Sequence, residues 1–205
     1  MNIIVYFHKT IEVLRGVITT ALNKIQLKLS GVVVGKNFHT YGLLYIRNGI
    51  GGCIRMGRNV NITSCRQKNP TGSQIKTTLF TWKGAQIIIG NDVGISNTTM
   101  IATKSIVLED RVCIGGGTRI YDTDHHSVIP EYRLNGNTHV CSAPVLLKEE
   151  CFVGSDCIIL KGVIIGRRSV VGAGSIVTKS IPDDEIWAGN PAHFVRKMPN
   201  IEDVK

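Results

Sequence analysis

The chain has 205 residues, of which 43% are hydrophobic and 19% charged, and its formal net charge is +9. This composition allows a real core to be buried in one domain. The positive charge indicates a phosphorylated ligand or an anionic membrane surface as partner, whereas the absence of any basic-aromatic cluster in the sequence argues against nucleic acid.

The first thirty residues predict an amphipathic helix. Apolar residues recur there at intervals of three and four: Ile4, Phe7, Ile11, Leu14, Val17 and Ile18. This stretch has neither a cleavable secretory pattern nor the uncharged run of about 20 apolar residues that a bilayer span needs. We therefore expect a cytoplasmic protein. The apolar face could pack on the domain or on a neighbouring subunit, or it could lie on the inner membrane surface.

From about Val34 to Ile181 the sequence repeats with a period of six residues. The clearest units each begin with an aliphatic residue: Leu147, Val153, Ile159, Ile165, Val171 and Val177. The fifth position of the first five units is small or β-branched. Further units begin at Ile89, Ile95 and Ile101 and, after one inserted residue, at Leu108, Ile114 and Ile120.

A period of six is neither that of a helix nor that of a lone strand, and it predicts short strands and turns that coil into a parallel β-helix. Three units make one triangular coil, and the aliphatic residues stack inside it. We therefore predict an all-β domain over residues 31–198, preceded by the helical segment 1–30. Two insertions interrupt the array, one near residues 64–74 and one near 121–144.

Cysteine spacing provides no zinc-ligand pattern. We expect buried, reduced thiols at six positions: Cys53, Cys65, Cys113, Cys141, Cys151 and Cys157. No metal site is predicted.

Two segments carry a resemblance to a known family. The C-terminal stretch "VGAGSIVTKSIPDDEIWAGNPAHFVRK" and the loop "HHSVIPEYRLNG" followed by "APVLL" resemble the hexapeptide-repeat acyltransferases. The branch they resemble contains maltose/galactoside O-acetyltransferases and the sugar acetyltransferases of surface-polysaccharide clusters. The resemblance covers residues 32–198 and implies a left-handed coil and a homotrimer.

The activity that the resemblance implies is transfer of an acetyl group from acetyl-CoA to a hydroxyl of a sugar or nucleotide sugar, in surface-polysaccharide biosynthesis. N-acetylation of an amino-sugar nucleotide and acetylation of an antibiotic stay open, because fold and donor site are shared across acceptors. No metal is implied.

The insertion near residues 121–144 contains the candidate base. Transfer to a hydroxyl needs a group that accepts its proton, and imidazole suits this because its unperturbed pKa lies near neutrality. The resemblance indicates His125 as the catalytic residue, with His126 as the alternative. Asp122, Asp124 and Arg133 are candidates for the acceptor site, although two solvated aspartates are the simpler expectation.

The resemblance also indicates a donor site in the C-terminal third of the array. An aromatic side chain near the thiol arm, small residues along the groove and basic residues at the phosphates correspond to Phe152, Ser155, Ala173, Thr178, Lys179 and Arg196. The chain departs from its relatives at His193, where a second basic residue is usual. We therefore expect it to bind the 3′-phosphate of coenzyme A more weakly than they do.

Two other classes of protein share this predicted coil. A carbonic anhydrase would need three zinc-binding histidines from neighbouring coils. Beyond the loop pair, the predicted domain of residues 31–198 contains only the isolated His39, His139 and His193. A non-catalytic β-helix scaffold would need neither the histidine loop nor the C-terminal motif.

Overall fold

The computed structural model describes residues 3–71, 75–199 and 202, with side chains from Thr10 onward. Helix α1 (Ile3–Leu29) comes first, and short strands follow it. The five-residue helix α2 (Pro130–Leu134) lies in the second insertion. Among the described residues, no helix combines the length and the apolar character that crossing a membrane would need.

The strands form three sheets, and within each sheet the strands lie side by side in the following order. Sheet I contains β1 (Val33–Val34), β4 (Cys53–Met56), β7 (Gln86–Ile89), β10 (Ser105–Leu108), β13 (Val145–Leu147) and β16 (Ile164–Ile165). Sheet II contains β2 (His39–Tyr41), β5 (Asn61–Thr63), β8 (Gly94–Ser96), β11 (Cys113–Ile114), β14 (Phe152–Val153), β17 (Val170–Val171), β19 (Glu185–Ala188) and β20 (His193–Lys197). Sheet III contains β18 (Ile176–Val177), β15 (Ile158–Ile159), β12 (Arg119–Tyr121), β9 (Thr99–Ala102), β6 (Thr78–Thr81) and β3 (Tyr45–Asn48).

Successive strands visit sheets I, II and III in turn and then start the next coil. All strand pairs are parallel apart from the β19–β20 hairpin, which is antiparallel. The backbone hydrogen bonds thus run from coil to coil along a prism with three faces. The predicted parallel β-helix is confirmed, and both insertions leave the prism at its corners.

The aliphatic column predicted from the period of six is the core of this prism. The first residues of the C-terminal units are at most 1% exposed: Leu147, Val153, Ile159, Ile165, Val171 and Val177. The small residues at the fifth positions are buried beside them. Each large aliphatic side chain contributes about 1.5–3 kcal/mol by leaving water.

The predicted register is wrong at one unit. Ile101 is half-buried on the outer face, whereas Met100 and Ala102 point into the core. Met100 pairs with Ile120, so the inward position comes one residue early. The corner between β8 and β9 is one residue shorter than the corner between β11 and β12, since the inward residues Ile95 and Met100 are five positions apart whereas Ile114 and Ile120 are six apart.

Helix α1 packs on the first coil through Leu27, which is buried in the core, and through a row of polar side chains. Thr19 and Thr20 donate from their Oγ1 atoms to the Thr40 carbonyl, each at 3.1 Å. The Asn23 amide donates to the Gly42 carbonyl at 2.9 Å and accepts from the Leu44 N–H at 3.1 Å. These side chains satisfy backbone groups at the open end of sheet II, where an uncovered edge would otherwise be exposed.

The predicted apolar face of α1 points away from the prism. Ile11, Leu14, Val17 and Ile18 are each at least 45% exposed. The side chains of Ile4 and Phe7 lie outside the described residues. The expectation that this face packs on the domain is wrong for these four residues, because the threonines and Asn23 on the other side of the helix make the contact.

The expectation of buried thiols is right at two cysteines and wrong at two others. Cys151 and Cys157 fill small core positions, and burial raises the pKa of the Cys151 thiol to about 12. Cys113 and Cys141 are exposed. Cys113 lies on the outer face of sheet II, and Cys141 lies in the second insertion.

Candidate active site

The second insertion leaves the prism at the corner between sheets III and I and is closed at its neck. Thr123 and Ser142 form an antiparallel bridge, and the Ser142 hydroxyl donates to Thr123 Oγ1 at 3.0 Å. The Asp124 N–H donates to the Cys141 carbonyl at 3.0 Å. These contacts hold the two ends of the loop together where it leaves the coil.

Asp122 anchors the neck to the previous coil. Its carboxylate accepts hydrogen bonds from the backbone N–H groups of Thr103, Lys104 and Ser105 at 2.6–2.8 Å, and from Thr103 Oγ1 at 2.9 Å. The residue is 0% exposed. The predictions of a solvated aspartate and of a substrate-binding role for Asp122 are therefore wrong, since four donors already occupy its oxygens.

His125 lies just beyond the neck in a constrained conformation. Its backbone adopts φ +62, a region that non-glycine residues enter only where their surroundings enforce it. Its carbonyl accepts from the Asn137 side-chain amide at 2.9 Å, and its ring contacts that of Tyr121 edge-on at 5.1 Å. Neither ring nitrogen has a hydrogen-bond partner among the described residues.

The His125 side chain lines a pocket of about 300 Å³, together with Trp82, Thr103, Thr123, Asn137, Val140 and Ser142. The next residue, His126, is exposed, and its N–H donates to the Asp124 carbonyl at 2.7 Å. The pocket therefore combines one half-buried imidazole with hydroxyl and amide groups that can bind polar substituents.

Two other predicted acceptor residues are engaged within the chain. Asp124 forms an ion pair with Lys161 at 2.6 Å, with both side chains about one-third exposed, so it is not the freely solvated carboxylate that we expected. Arg133 donates to the Ser127 carbonyl at 2.9 Å. Both remain at the rim of the loop. No sequence pattern indicated Lys161, which comes from the next coil.

The predicted donor residues lie on different parts of the prism. Phe152 is exposed on sheet II, and Ser155 and Ala173 lie at the corner between sheets II and III. Thr178 and Lys179 follow β18 at the corner between sheets III and I, on the same side as the histidine loop. The structure therefore brings only part of the predicted donor set near His125 within one chain.

Arg196 lies in the C-terminal hairpin of β19 and β20. Glu185 holds this hairpin together: its carboxylate accepts from Lys197 Nζ at 2.6 Å and from Trp187 Nε1 at 2.7 Å. The hydrogen bond from Lys197 is the main cause that lowers the pKa of Glu185, followed by that from Trp187. Arg196 itself is exposed.

The side chains of the described residues contain no group of three or more His, Cys, Asp or Glu that could hold a metal ion. Sequence reasoning missed several residues that shape the pocket. Trp82 and Thr103 come from the two preceding coils, and Asn137 comes from the far side of the loop. A period of six identifies the corners at which such residues lie, but it does not distinguish them from ordinary turn residues.

Comparison with known proteins supports a relationship at the level of the coil. Residues 144–179 match the family model of the hexapeptide repeat of succinyl-transferase. The galactoside O-acetyltransferase of Lactococcus lactis is 38% identical over 102 residues, which cover 50% of this chain and 48% of that protein. The Escherichia coli galactoside O-acetyltransferase is 35% identical over 56% of each chain. The chain thus spans about half the length of these curated relatives.

Solved structures extend the similarity over most of the fold. A mutant of AntD, an N-acyltransferase from Bacillus cereus in complex with dTDP and coenzyme A, matches with a TM-score of 0.67 and 25% identity, covering 85% of this chain and 89% of that one. A galactoside acetyltransferase in complex with coenzyme A matches with a TM-score of 0.53 and 31% identity, covering 62% and 61%. The chain is therefore a left-handed β-helix that is similar to hexapeptide-repeat acetyltransferases, galactoside O-acetyltransferases among them.

Proposed function

We propose that this protein transfers an acetyl group from acetyl-CoA to a hydroxyl of a sugar. The observation that carries the proposal is the position of His125, which lies half-buried at the neck of the loop, in a pocket that combines apolar surface with hydroxyl and amide groups. The coil from which this loop leaves resembles that of a galactoside acetyltransferase solved with coenzyme A. Surface-polysaccharide biosynthesis is the proposed setting, because sugar acetyltransferases of that branch carry the same loop and C-terminal motif.

The proposed role of His125 is that of a general base. Bound acetyl-CoA would supply the thioester from which the acetyl group is taken. The Nε2 or Nδ1 atom of His125 accepts the proton of the acceptor hydroxyl as its oxygen bonds to the carbonyl carbon. When the carbon–sulfur bond breaks, the imidazolium can return that proton to the leaving thiolate. General-base assistance of this kind typically contributes about 10²–10⁴-fold.

The proposed donor site uses the exposed residues of the C-terminal coils. Phe152 offers an exposed apolar ring, and Ser155 and Ala173 are small residues at the corner between sheets II and III. Lys179 and Arg196 offer exposed cations for phosphate groups, and Thr178 precedes Lys179 in the chain. Asp124 and Arg133 are proposed to line the acceptor side at the rim of the loop.

Steady-state kinetics with acetyl-CoA and galactosides, read by release of free thiol, test this function. We expect His125→Ala to lower kcat by about 10²–10⁴-fold without changing the donor KM. His126→Ala is the matched control and should retain most of the activity. Arg196→Ala should instead raise the donor KM about tenfold, the effect of losing one partly solvated charge contact.

The outcomes separate the parts of the proposal. If His126→Ala is the inactive variant, the base is misassigned but the reaction stands. If both histidine variants turn over normally, the loop is not the catalytic site. If thiol is released no faster with any sugar acceptor than without one, the proposed acceptor class is wrong.

A second candidate is N-acyl transfer to an amino sugar carried by a nucleotide. The similarity to the N-acyltransferase AntD, which covers more of the chain than the galactoside acetyltransferase does, favours it. The same base and donor site would serve an amine. Offering paired acceptors that differ only in a hydroxyl or an amino group decides between the two reactions.

The proposed assembly is a homotrimer with each active site between two subunits. The tip of the histidine loop supports it: Val128, Ile129 and Leu134 are 75%, 45% and 80% exposed, so several apolar side chains of one short segment face solvent. A neighbouring subunit would cover this apolar tip.

We also propose that the enzyme works at the cytoplasmic face of a membrane through helix α1. The outward face of α1 carries an apolar stripe, and Arg15, Lys24 and Lys28 belong to the same helix. Glu12 is already paired with Lys68 at 3.6 Å. An apolar face accompanied by cations is the pattern of a helix that lies in the interface of an anionic bilayer.

A further inference from the structure

Sheet III carries a column of outward side chains that leads toward the histidine loop. Arg47, Phe80, Ile101 and Tyr121 occupy equivalent positions in four successive coils. None of them is buried, because residues alternate along each strand and their neighbours Ile46, Leu79, Met100 and Ile120 point inward. Tyr121, at one end of the column, contacts the ring of His125.

The other end of the column is a cluster of aromatic and basic groups. The Arg47 guanidinium lies 5.0 Å from the centre of the Phe80 ring, and the Phe80 and Trp82 rings lie 5.4 Å apart. Trp82 is 53% exposed, and its indole N–H has no hydrogen-bond partner among the described residues. A solvent-exposed indole beside a second aromatic ring is a platform on which a planar or ring-shaped ligand can stack.

Two pockets meet at Trp82. One is the His125 pocket, and the other, also of about 300 Å³, is lined by Arg47, Asn48, Ile50, Phe80, Lys83 and neighbouring backbone. Because Trp82 lines both, a single bound molecule could occupy the two pockets together. The strand that carries Arg47 lies three coils from the strand that precedes His125, which corresponds to about 14 Å at the usual strand spacing.

The charge of the second pocket selects an anionic ligand. Neither Arg47 nor Lys83 forms an ion pair with any described residue. No acidic side chain is among the described residues that line either pocket. Two uncompensated cations beside a pair of tilted aromatic rings suit a phosphate or diphosphate group attached to a ring.

We propose that Arg47, Phe80, Trp82 and Lys83 form an acceptor subsite for the phosphate-bearing end of a phosphorylated sugar. The inference rests on the proposed acetyl transfer and narrows its acceptor class. The sugar ring lies in the His125 pocket with a hydroxyl or amine at the imidazole. The phosphate lies toward Arg47 and Lys83, and Trp82 packs between the two parts. A sugar 1-phosphate, a nucleotide sugar and a lipid-linked sugar diphosphate share this chemistry.

Tryptophan fluorescence tests the subsite without any turnover. The chain has two tryptophans, so Trp187→Phe leaves Trp82 as the only indole. In this background we expect galactose 1-phosphate or dTDP-glucose to change the Trp82 emission in a saturable way. Methyl galactoside at the same concentration should bind at least tenfold more weakly, because it lacks the phosphate.

Substitution of the cations identifies the contact. Arg47→Ala should weaken binding of the phosphorylated probes about tenfold, and Lys83→Ala should act in the same direction. Arg55→Ala removes an exposed arginine from sheet I and is the matched control, expected to leave binding unchanged. Comparison of galactose 1-phosphate, dTDP and dTDP-glucose shows whether the sugar phosphate alone supports binding or the nucleotide adds to it.

Three results would overturn the subsite: no fluorescence change with any phosphorylated probe, equal affinity for methyl galactoside, or an Arg47→Ala variant that binds like the parent. These results are independent of the proposed reaction. Binding without thiol release would refute acetyl transfer and leave the subsite standing. If thiol is released but Arg47→Ala leaves the acceptor KM unchanged, the subsite is refuted and the proposed reaction stands.

Discussion

Asp122 connects the histidine loop to the rigid part of the molecule. Its carboxylate accepts three backbone N–H groups and one hydroxyl from residues 103–105, in the coil before the loop. Hydrogen bonds to an ionised acceptor are stronger than neutral ones, and these donors would otherwise be left without partners at a buried corner. The loop therefore begins from a fixed point, which sets where His125 lies.

Asp122→Ala should destabilise the protein by about 2 kcal/mol or more, because the buried Ser105 N–H loses its acceptor at about 1–3 kcal/mol and the partly buried N–H groups of Thr103 and Lys104 lose hydrogen bonds to an ionised carboxylate. Asp124→Ala is the matched control, two residues away. Its ion pair with Lys161 is about one-third exposed, so its loss should cost no more than about 1 kcal/mol. Urea unfolding followed by circular dichroism measures both changes. Equal losses for the two variants would show that the Asp122 contacts do not anchor the loop.

The difference between these aspartates marks the limit of reasoning from sequence at this scale. Asp122 and Asp124 flank a threonine in the same polar stretch, and residue type alone gives both the same expectation. Their roles are decided by Thr103 and Lys161, which come from the previous and the next coil. Periodicity predicts that coils stack, but not which side chains at a corner have a donor within reach.

At the scale of elements, the period of six predicted the packing of the strands better than the intervals of three and four predicted the packing of the helix. The inward column was foreseen at Leu147, Val153 and Ile159, because a buried aliphatic residue repeats wherever the coil is regular. Ile101 was misplaced where the corner between β8 and β9 is one residue shorter than in the next coil. For α1 the apolar pattern predicted a helix correctly, but the face that contacts the coil is the polar one, since the end of a β-helix exposes backbone groups that need hydrogen bonds.

One face of helix α1 thus forms hydrogen bonds with backbone groups at the end of the coil, and the other face carries an exposed apolar stripe. If this stripe lies on a membrane, Ile18→Glu should reduce binding to vesicles of phosphatidylglycerol and phosphatidylcholine at least tenfold. The reason is that it replaces an apolar contact worth about 1.5–3 kcal/mol with a charge of the wrong sign. Co-sedimentation measures the bound fraction. Val33→Glu introduces the same charge on sheet I, at a similarly exposed position, and should bind like the parent.

The result also distinguishes a membrane from a second subunit. Should both variants sediment equally with vesicles while Ile18→Glu alone changes the mass in solution, the stripe belongs to an interface between copies of the chain. Vesicles of phosphatidylcholine alone should bind the parent weakly, because they lack the negative charge that attracts Arg15, Lys24 and Lys28.

At the scale of the whole molecule, the prism separates groups that one reaction needs together. The histidine loop leaves at the corner between sheets III and I, whereas Phe152 and Arg196 lie on strands of sheet II. On one prism, an acetyl-CoA molecule that contacted both the histidine loop and these residues of sheet II would have to span the full width of sheet III. Two prisms side by side can instead bring the loop of one against sheet II of the next, which a ring of three closes by symmetry.

Light scattering should therefore give three times the 22.4 kDa mass of the chain. Leu134→Glu, at the apolar tip of the loop, should shift this mass toward that of the monomer, because the interface would have to bury a charge. Leu29→Glu is a control with the same change at an equally exposed site on α1, and it should leave the mass unaltered. A monomeric parent at micromolar concentration would contradict the trimer.

Mixed trimers test whether the active site is shared between subunits. Co-expressed His125→Ala and Arg196→Ala chains each lack one half of the proposed site. If His125 of one subunit serves the donor held by the next, random assembly restores an intact pair at about a quarter of the interfaces, and activity at low donor concentration should recover to about that fraction of wild type. If each site lies within one chain, no intact pair can form. The mixture would then show only the mean of its two parents, both at or below about a tenth of wild type. Recovery above either parent thus requires that the histidine loop and Arg196 act across a subunit boundary.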